Sequence, residues 1–294
     1  MNFVLSSDRS CDIYCGEMQR RGIEYISQIF TIDDVAYVDD FDKDADYKGF
    51  YDKIRAGKMP TTSQINVAEH EEFFDAMLDK HGKDLLHLTL SSGLSNTYTS
   101  ACTAAEAVNA RRTDCKVYVL DSLGATVVQR IVVDEAEKLR DAGESAESAH
   151  KKLTEFIKHV VVWFMTTDLM HLKRGGRVSG ASAVIGTALN IKPILVINKT
   201  GGLSVVQKKI GAGKGMSYMA EMFKKHSAPC TAKVYIPSAD SDYGEAMKEK
   251  LLAIRPDCDV EIGWVGPVIG AHTGVGMVGV CFVSDKEREI VYNS

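Results

Sequence analysis

The chain has 294 residues, of which 45% are hydrophobic and 26% are charged, and its formal net charge is −5. This composition indicates a globular protein of one large domain or two ordinary domains. The acidic balance argues against a general binder of nucleic acid or anionic membranes. The sequence shows no apolar run of 18 residues and no secretory signal at its start. Its seven scattered cysteines include no C-x-x-C pair, so we expect free thiols, no zinc site and a cytoplasmic location.

In chain order, the first half alternates strands with helices. Strands are predicted at "NFVLSS", "EYISQIF", "DLLHLTLSS" and "KVYVLDS" because these runs are apolar or alternate in polarity. Helices are predicted between and after them, at "DIYCGEMQRRG", "DADYKGFYDKIRAG", "VAEHEEFFDAMLDKHG", about Asn96 to Arg111, and "VVQRIVVDEAEKLRDAG". Strands that alternate with helices predict right-handed crossovers and a mainly parallel sheet.

The pattern changes after the helix "ESAHKKLTEFIKHV". We expect an extended run at "VVVWFMTTDLMHL", a basic glycine turn, a small apolar helix at "ASAVIGTALN", and a hairpin that turns at Lys199–Gly202. The end reads as two extended runs joined by a glycine-rich bend. The sequence therefore predicts two packed α/β domains. Residues 1–160 form an N-terminal domain with hydroxyl-rich loops, and residues 161–294 form a C-terminal domain with a mixed or antiparallel sheet.

Two clusters of hydroxyl side chains precede predicted helices. The first is "SSGLS", which contains Ser91, Ser92 and Ser95, and the second is "MPTTSQ", which contains Thr61 and Thr62. Ligands bind at the carboxyl ends of strands in open α/β sheets, and the free N–H groups of a helix start favour anions. Capping of the two helices is the competing explanation. Because neither cluster contains a lysine or arginine, the pattern suits a carboxylate better than a polyphosphate.

The glycine-rich end and the basic turn are the remaining candidates. His272 and Thr273 lie on the bend, where they could point into a cleft. "GVGMVG" at 274–279 fits a dinucleotide fingerprint but lacks the strand and helix around it, and "GAGKG" at 211–215 fails as a phosphate loop. The turn "KRGGRVSG" is either a solvated turn or a patch for a partner or an anion. Its cations are Lys173, Arg174 and Arg177.

Together, "MPTTSQ", "LSSGLSNTY", "VLDS", "LKRGGRVS", "NIKPIL" and "GAHTGVG" resemble, in this order and spacing, the DegV family of bacterial lipid-binding proteins. The resemblance implies two α/β domains and one buried long-chain fatty acid, with no other cofactor and no metal. It implies that Thr62, Ser91 and Ser92 hold the carboxyl group, with His272 nearby. It also implies an acyl carrier that presents the fatty acid to a fatty acid kinase, which phosphorylates the carboxylate.

We expect the acyl chain to be lined mainly by the second domain, at "WFMTTDLM", "ASAVIGTALNI" and "PILVI". Two other functions use the same residues. One is a small-molecule phosphotransferase or hydrolase that uses the hydroxyl and histidine cluster. The other is a regulator that acts through the basic turn. The absence of a phosphate loop and of metal-spaced ligands disfavours the enzyme.

Overall fold

The computed structural model of the protein describes residues 2–40, 42, 45–178, 190–228 and 233–294. Within these residues the chain forms three β-sheets. The strands are β1 Val4–Asp8, β2 Ile23–Ile26, β3 Ile29–Ile32, β4 Val35–Val38, β5 Thr61–Ser63, β6 Leu85–Thr89, β7 Val117–Asp121, β8 Val160–Met165, β9 Ile191–Ile197, β10 Leu203–Ile210, β11 Lys233–Ser238, β12 Asp259–Trp264 and β13 Val278–Val283.

The helices cover the faces of these sheets. They are α1 Cys15–Arg20, α2 Tyr47–Arg55, α3 Val67–His81, α4 Thr97–Arg111, α5 Val127–Asp141, α6 Ala146–Phe156, α7 Leu169–Arg174, α8 Ala212–His226, α9 Ser241–Ile254, α10 Pro267–Thr273 and α11 Arg288–Tyr292. Short 3-10 turns occupy Arg9–Cys11 and Ile157–His159. The helix predicted at "ASAVIGTALN" lies outside the described residues.

The two larger sheets confirm the predicted fold class. The first sheet has the order β2-β1-β6-β7 and every pair in it is parallel. The other has the order β10-β9-β8-β13-β11-β12, in which β11 and β12 are parallel and the other neighbours are antiparallel. The predicted hairpin is the β9–β10 pair. The six described cysteines are free thiols, as expected.

A small third sheet was not predicted. Its order is β4-β3-β5, and both pairs are antiparallel. The segment "EYISQIF" was predicted as one extended run, but it divides into β2 in the first sheet and β3 in this one. The cluster "MPTTSQ", predicted as a loop, contains the edge strand β5. Strands of three or four residues carry too short a pattern to be recognised without the partners that they pair with.

The prediction of a glycine-rich bend between the last two strands was incomplete, because α10 lies there. Pro267 occupies its first turn, where the fixed φ of proline suits a helix and its missing N–H costs nothing. The helix contacts α2, α7, β3 and β5, and tertiary packing of this kind can override the low helix propensity of glycine. Helix α10 therefore places His272, which lies near its end, next to the small sheet.

Helix α3 begins and ends at residues whose local hydrogen bonds and backbone conformation define its bounds. The side chain of Asn66 accepts a hydrogen bond from the backbone of Glu69, and the Glu69 side chain accepts one from the backbone of Asn66. This capping box begins the helix, and Gly82 ends it with a left-handed φ of 59°. The chain before Asn66 is thereby held extended, which suits the position of β5.

Helix α5 lies between the two larger sheets and joins their cores. It contacts β1 in the first sheet and β8, β11 and β13 in the six-stranded sheet. Its residues from Val127 to Val133 are all buried. One hydrophobic cluster includes Leu5 from the first sheet together with Phe164 and Cys281 from the other. The first sheet with its helices is the first unit, and the six-stranded sheet with its helices is the second unit. The two units therefore share apolar packing, as expected for two packed domains.

The turn of the β9–β10 hairpin packs on the loop after β6. Ser91 donates a hydrogen bond from its hydroxyl to the carbonyl oxygen of Gly201, at 2.8 Å. A Cβ atom on Gly93 would lie 2.4 Å from the backbone of Gly201 and Gly202. Only glycine allows the two backbones to approach this closely. The hairpin of the second unit is thus seated directly on the "SSGLS" loop of the first.

Candidate functional site

A cavity of about 330 Å³ lies where the three sheets meet α5 and α10. This volume falls within the range of roughly 300–1,000 Å³ that is usual for small-molecule sites. Its apolar lining comes from both units. These residues are Leu90, Leu94, Ala125, Val128, Val162, Phe164, Leu172, Ile197, Leu203, Pro237, Val268, Ile269 and Met277.

The polar residues of the lining differ from the apolar residues in their exposure to solvent. Its members are Gln28, Thr62, Ser63, Gln64, Ser95, Asn96, Thr97, Thr126, Arg177, His272 and Thr273. Every exposed residue of the lining is polar, namely Ser63, Gln64, Asn96 and Arg177. The apolar residues are buried, apart from the half-buried Leu94 and Ile269. The cavity therefore has a polar end near solvent and a mainly apolar interior, which also contains the buried polar residues Gln28, Thr97, Thr126 and Thr273.

Thr62 and His272 meet at the polar end. Thr62 lies in β5 and is paired with Phe30 of β3. Its Oγ1 atom lies 2.8 Å from Nε2 of His272. Both residues are half-buried. Two residues that lie 210 positions apart in the sequence are thus joined by one hydrogen bond.

The backbone of Gly175 fixes the orientation of the His272 ring. The Nδ1 atom of His272 lies 3.0 Å from the carbonyl oxygen of Gly175 and 3.3 Å from Nη1 of Arg177. Nδ1 cannot donate to the carbonyl and also accept from the guanidinium. The shorter contact to a pure acceptor assigns the proton to Nδ1. Nε2 is then an acceptor, and the Thr62 hydroxyl donates to it.

The electrostatic environment keeps His272 neutral. Burial, reinforced by the positive charge of Arg177, lowers the pKa of His272 to about 4. Burial disfavours the charged imidazolium, and a neighbouring cation acts in the same direction. A pKa this low is far from the near-neutral value that suits a general base. The Thr62–His272 pair has the distance of a nucleophile and its base, but His272 is better suited to accept a hydrogen bond than to take up a proton.

Arg177 was predicted as a partner contact, and the structure places it in the lining of the cavity. Its Nη1 atom donates to the carbonyl oxygen of Gly175 at 2.9 Å, and its Nε atom lies 3.4 Å from the carbonyl oxygen of Leu94. Its Nη2 atom makes no hydrogen bond to the part of the chain that the structure describes. Lys173 and Arg174, the other two predicted contacts, are exposed at the end of α7.

Ser95 and Thr273, two further candidates from the sequence, line the cavity. Ser95 Oγ lies 2.9 Å from the hydroxyl of Thr97 and accepts a hydrogen bond from its backbone N–H. The capping role therefore also holds in part for Ser95. The Thr273 hydroxyl donates to the carbonyl oxygen of Ile269 at 3.2 Å, so its hydrogen is already used within α10.

Ser91, Ser92 and Thr61, which the sequence analysis proposed as ligand-binding residues, are not among the residues that line the cavity. Ser91 is buried, and its hydroxyl is engaged by the hairpin turn. Ser92 and Thr61 are exposed. The backbone N–H of Ser92 points to the carboxylate of Asp121, at 3.2 Å from Oδ1. That carboxylate places negative charge where an anion was expected at the helix start, so a second anion there would be repelled.

Sequence reasoning also missed Gln28 and the share of the lining that comes from the first unit. Leu90, Ala125 and Val128 contribute apolar surface next to Val162 and other residues of the second unit. The alternation in "DLLHLTLSS" identified the strand before Leu90 but not the cavity at its end. No local pattern marks Gln28, because it acquires its position through strand pairing. The basic turn marked Arg177 as a contact for a partner or an anion, but it did not show that Arg177 lines the cavity.

Comparison with known proteins identifies the class. A family model described as "uncharacterised protein, DegV family" matches residues 3–285. A DegV domain-containing protein of Clostridium perfringens is 33% identical over 288 residues, which cover 97% of this chain and 99% of that protein. The chain therefore belongs to the DegV family, as the motifs indicated. Neither description names a catalytic activity.

Two solved structures share the fold. The first is a DegV family protein from Thermus thermophilus, whose structure is described as showing fatty acid binding. It has a TM-score of 0.85 and 27% identity, and the match covers 97% of this chain and 100% of that one. The second is the fatty acid kinase B3 protein of Streptococcus pneumoniae, which was loaded with linoleic acid. It has a TM-score of 0.80 and 19% identity, with 97% and 100% coverage, and this likeness concerns the fold alone. Among the described helices, none is long and apolar enough to cross a membrane.

Proposed function

We propose that the protein binds one long-chain fatty acid in this cavity and presents the carboxylate to a fatty acid kinase. The observation that carries the proposal is the segregation of the lining, whose exposed members are polar while its apolar members are buried or half-buried. A fatty acid has the same division between a charged head and an apolar tail. Binding of a fatty acid by the similar Thermus thermophilus protein supports the proposal.

Three side chains at the polar end form the proposed head-group site. Arg177 supplies the positive charge and an Nη2 donor that no described residue uses. Thr62 supplies a hydroxyl that turns from Nε2 of His272 to the carboxylate. Ser95 adds a half-buried hydroxyl beside them. Hydrogen bonds to a charged group are worth about 1.5–3 kcal/mol each, and the arginine adds charge complementarity that neutral donors lack.

The acyl chain provides most of the affinity in this proposal. Burial of an apolar chain contributes about 0.8 kcal/mol for each methylene. A tail of about 14 methylenes would contribute roughly 11 kcal/mol before the cost of ordering. The head-group residues then determine which end of the ligand faces solvent. This division explains how an exposed polar end can present a reactive carboxylate while the ligand remains tightly held.

The partner is the less direct part of the proposal. It follows from the motif resemblance and from the fold shared with the fatty acid kinase B3 protein. Lys173 and Arg174 are exposed on α7, which leads directly to the cavity residue Arg177. We propose that these two cations contact the kinase, which would transfer a phosphoryl group to the carboxylate. The rival role as a hydrolase or phosphotransferase is weakened by the low pKa of His272.

Native mass spectrometry of freshly purified protein tests the binding step. We expect a mass excess equal to one long-chain fatty acid, which organic extraction removes. Ala125 lines the cavity and is 4% exposed, so Ala125→Phe should fill the space and abolish the excess. Ala36 is exposed on β4, and Ala36→Phe is a matched control that should retain the lipid. Wild-type protein without bound lipid that also fails to take up added fatty acid would reject the proposal.

A further inference from the structure

Gln28 is a buried amide in the lining of the cavity whose hydrogen bonds are incomplete. The residue is 3% exposed and faces the cavity. Its Oε1 atom is buried and has no hydrogen-bond partner among the described residues. A buried polar atom without a partner is rare in folded proteins and costs stability. An unpaired group at a ligand cavity points to a ligand that completes it.

Strand register places Gln28 close to the head-group site. The backbone carbonyl of Gln28 accepts a hydrogen bond from the N–H of Asp39 at 2.8 Å, which extends the β3–β4 ladder by one residue beyond Ile29. On its other edge β3 pairs with β5, and Phe30 lies opposite Thr62. Side chains two residues apart share a face, so Gln28 and Thr62 are diagonal neighbours, which typically lie about 7–8 Å apart with their Cβ atoms somewhat closer.

The chemistry of the amide selects the kind of group that can complete it. A carboxamide presents an acceptor oxygen and a donor nitrogen, and rotation by a half turn exchanges them. An ionised carboxylate only accepts hydrogen bonds and therefore satisfies the nitrogen alone. A hydroxyl both donates and accepts. A hydroxyl can therefore pair with whichever atom of the amide, oxygen or nitrogen, is buried and faces it.

We infer that Gln28 forms a second polar subsite that selects fatty acids with a hydroxyl group close to the carboxyl end. This inference rests on the proposed function, because it takes Thr62 as the position of the carboxylate. The side chains of Thr62 and Gln28 extend into the same cavity, so the ligand atom that meets the amide lies only a few bonds from the carboxyl carbon. The ligand class is therefore 2-hydroxy or 3-hydroxy fatty acids rather than acids hydroxylated near the far end of the chain.

Binding of four acids of equal length tests the subsite. The probes are hexadecanoic, 2-hydroxyhexadecanoic, 3-hydroxyhexadecanoic and 16-hydroxyhexadecanoic acid, measured on delipidated protein by displacement of a fluorescent fatty acid. For wild-type protein we expect at least one of the 2-hydroxy and 3-hydroxy acids to bind about tenfold more tightly than hexadecanoic acid, since an unpaired buried amide penalises the plain acid. The 16-hydroxy acid should gain nothing.

Substitution of Gln28 tests whether the preference for hydroxy acids depends on this side chain or on the general polarity of the protein. Gln28→Leu, or Gln28→Met if the first variant folds poorly, should remove the preference and bind hexadecanoic acid better than the hydroxy acids. Gln207 is exposed on β10, and Gln207→Leu should keep the wild-type ratio. A preference that survives in the Gln28 variants, or equal wild-type affinities for the plain and hydroxylated acids, would overturn the subsite alone. Failure of every acid to bind would reject the proposed function and the subsite with it.

Discussion

Replacement of Thr62 by valine removes the hydroxyl but keeps the branched shape. The Thr62 hydroxyl lies 2.8 Å from Nε2 of His272, and in the complex we expect its hydrogen to face the carboxylate. Loss of one hydrogen bond to a charged group costs about 1.5–3 kcal/mol, which corresponds to a dissociation constant roughly 10- to 150-fold higher. Lipid retention should persist, because the buried tail contributes several times more free energy.

The assay is displacement of a fluorescent fatty acid from delipidated protein, with unfolding measured in parallel. Thr61→Val is the matched comparison, because Thr61 precedes Thr62 in β5 but is exposed outside the lining. It should bind within about twofold of wild type if the structural assignment is right. Equal affinities for Thr62→Val and wild-type protein, or an equal loss in both variants, would refute the assignment of the carboxylate to Thr62.

Three further predictions concern stability and charge. Gly93→Ala should lower the free energy of unfolding by about 1–3 kcal/mol, because its Cβ would meet the hairpin backbone at 2.4 Å, whereas Gly213→Ala, with nothing within 4 Å, should not destabilise. Burial lowers the pKa of His70 to about 4, so the unfolded state binds more protons below about pH 6.5 and stability falls as the pH drops from there towards 4. Arg177→Gln should weaken fatty acid binding about tenfold or more, whereas Arg174→Gln should affect only the encounter with a kinase.

Each of these has a direct check. Chemical denaturation of both glycine variants measures the first, and equal stabilities would show that the hairpin turn tolerates a side chain. Denaturation at several pH values, with His70→Phe as the comparison, measures the second. The variant should lose part of the slope between pH 6.5 and 4, and an unchanged slope would mean that other groups cause it. Binding and phosphorylation assays run side by side measure the third, and a binding loss in Arg174→Gln would contradict it.

The sequence predicted the elements that carry long or well-capped patterns. The run "DLLHLTLSS" predicted the strand β6, and "VAEHEEFFDAMLDKHG" predicted the helix α3. These features depend on neighbours within a few residues, so they can be recognised in a single sequence. The fold class followed from them, because strands that alternate with helices leave few ways to build a sheet.

The site was predicted less completely for a physical reason. Thr62 and His272 were proposed because they belong to distinctive clusters, although nothing in either cluster showed that they would touch. Ser92 was included because hydroxyls before a helix favour anions, but a carboxylate from the next strand already holds its backbone. Gln28 reaches the cavity through strand register, which depends on contacts between distant segments and leaves no local signal. The basic turn marked Arg177, but its place in the lining also depends on tertiary contacts that the sequence does not show.

The most direct test of the central claim is a crystal structure of the protein with an added long-chain fatty acid. The account predicts one acyl chain in the cavity, its tail beside Phe164 and Met277 and its carboxylate within hydrogen-bonding distance of Thr62 and Arg177. A ligand bound outside this cavity, a carboxylate at the apolar end, or a cavity that stays empty in the presence of excess fatty acid would contradict it.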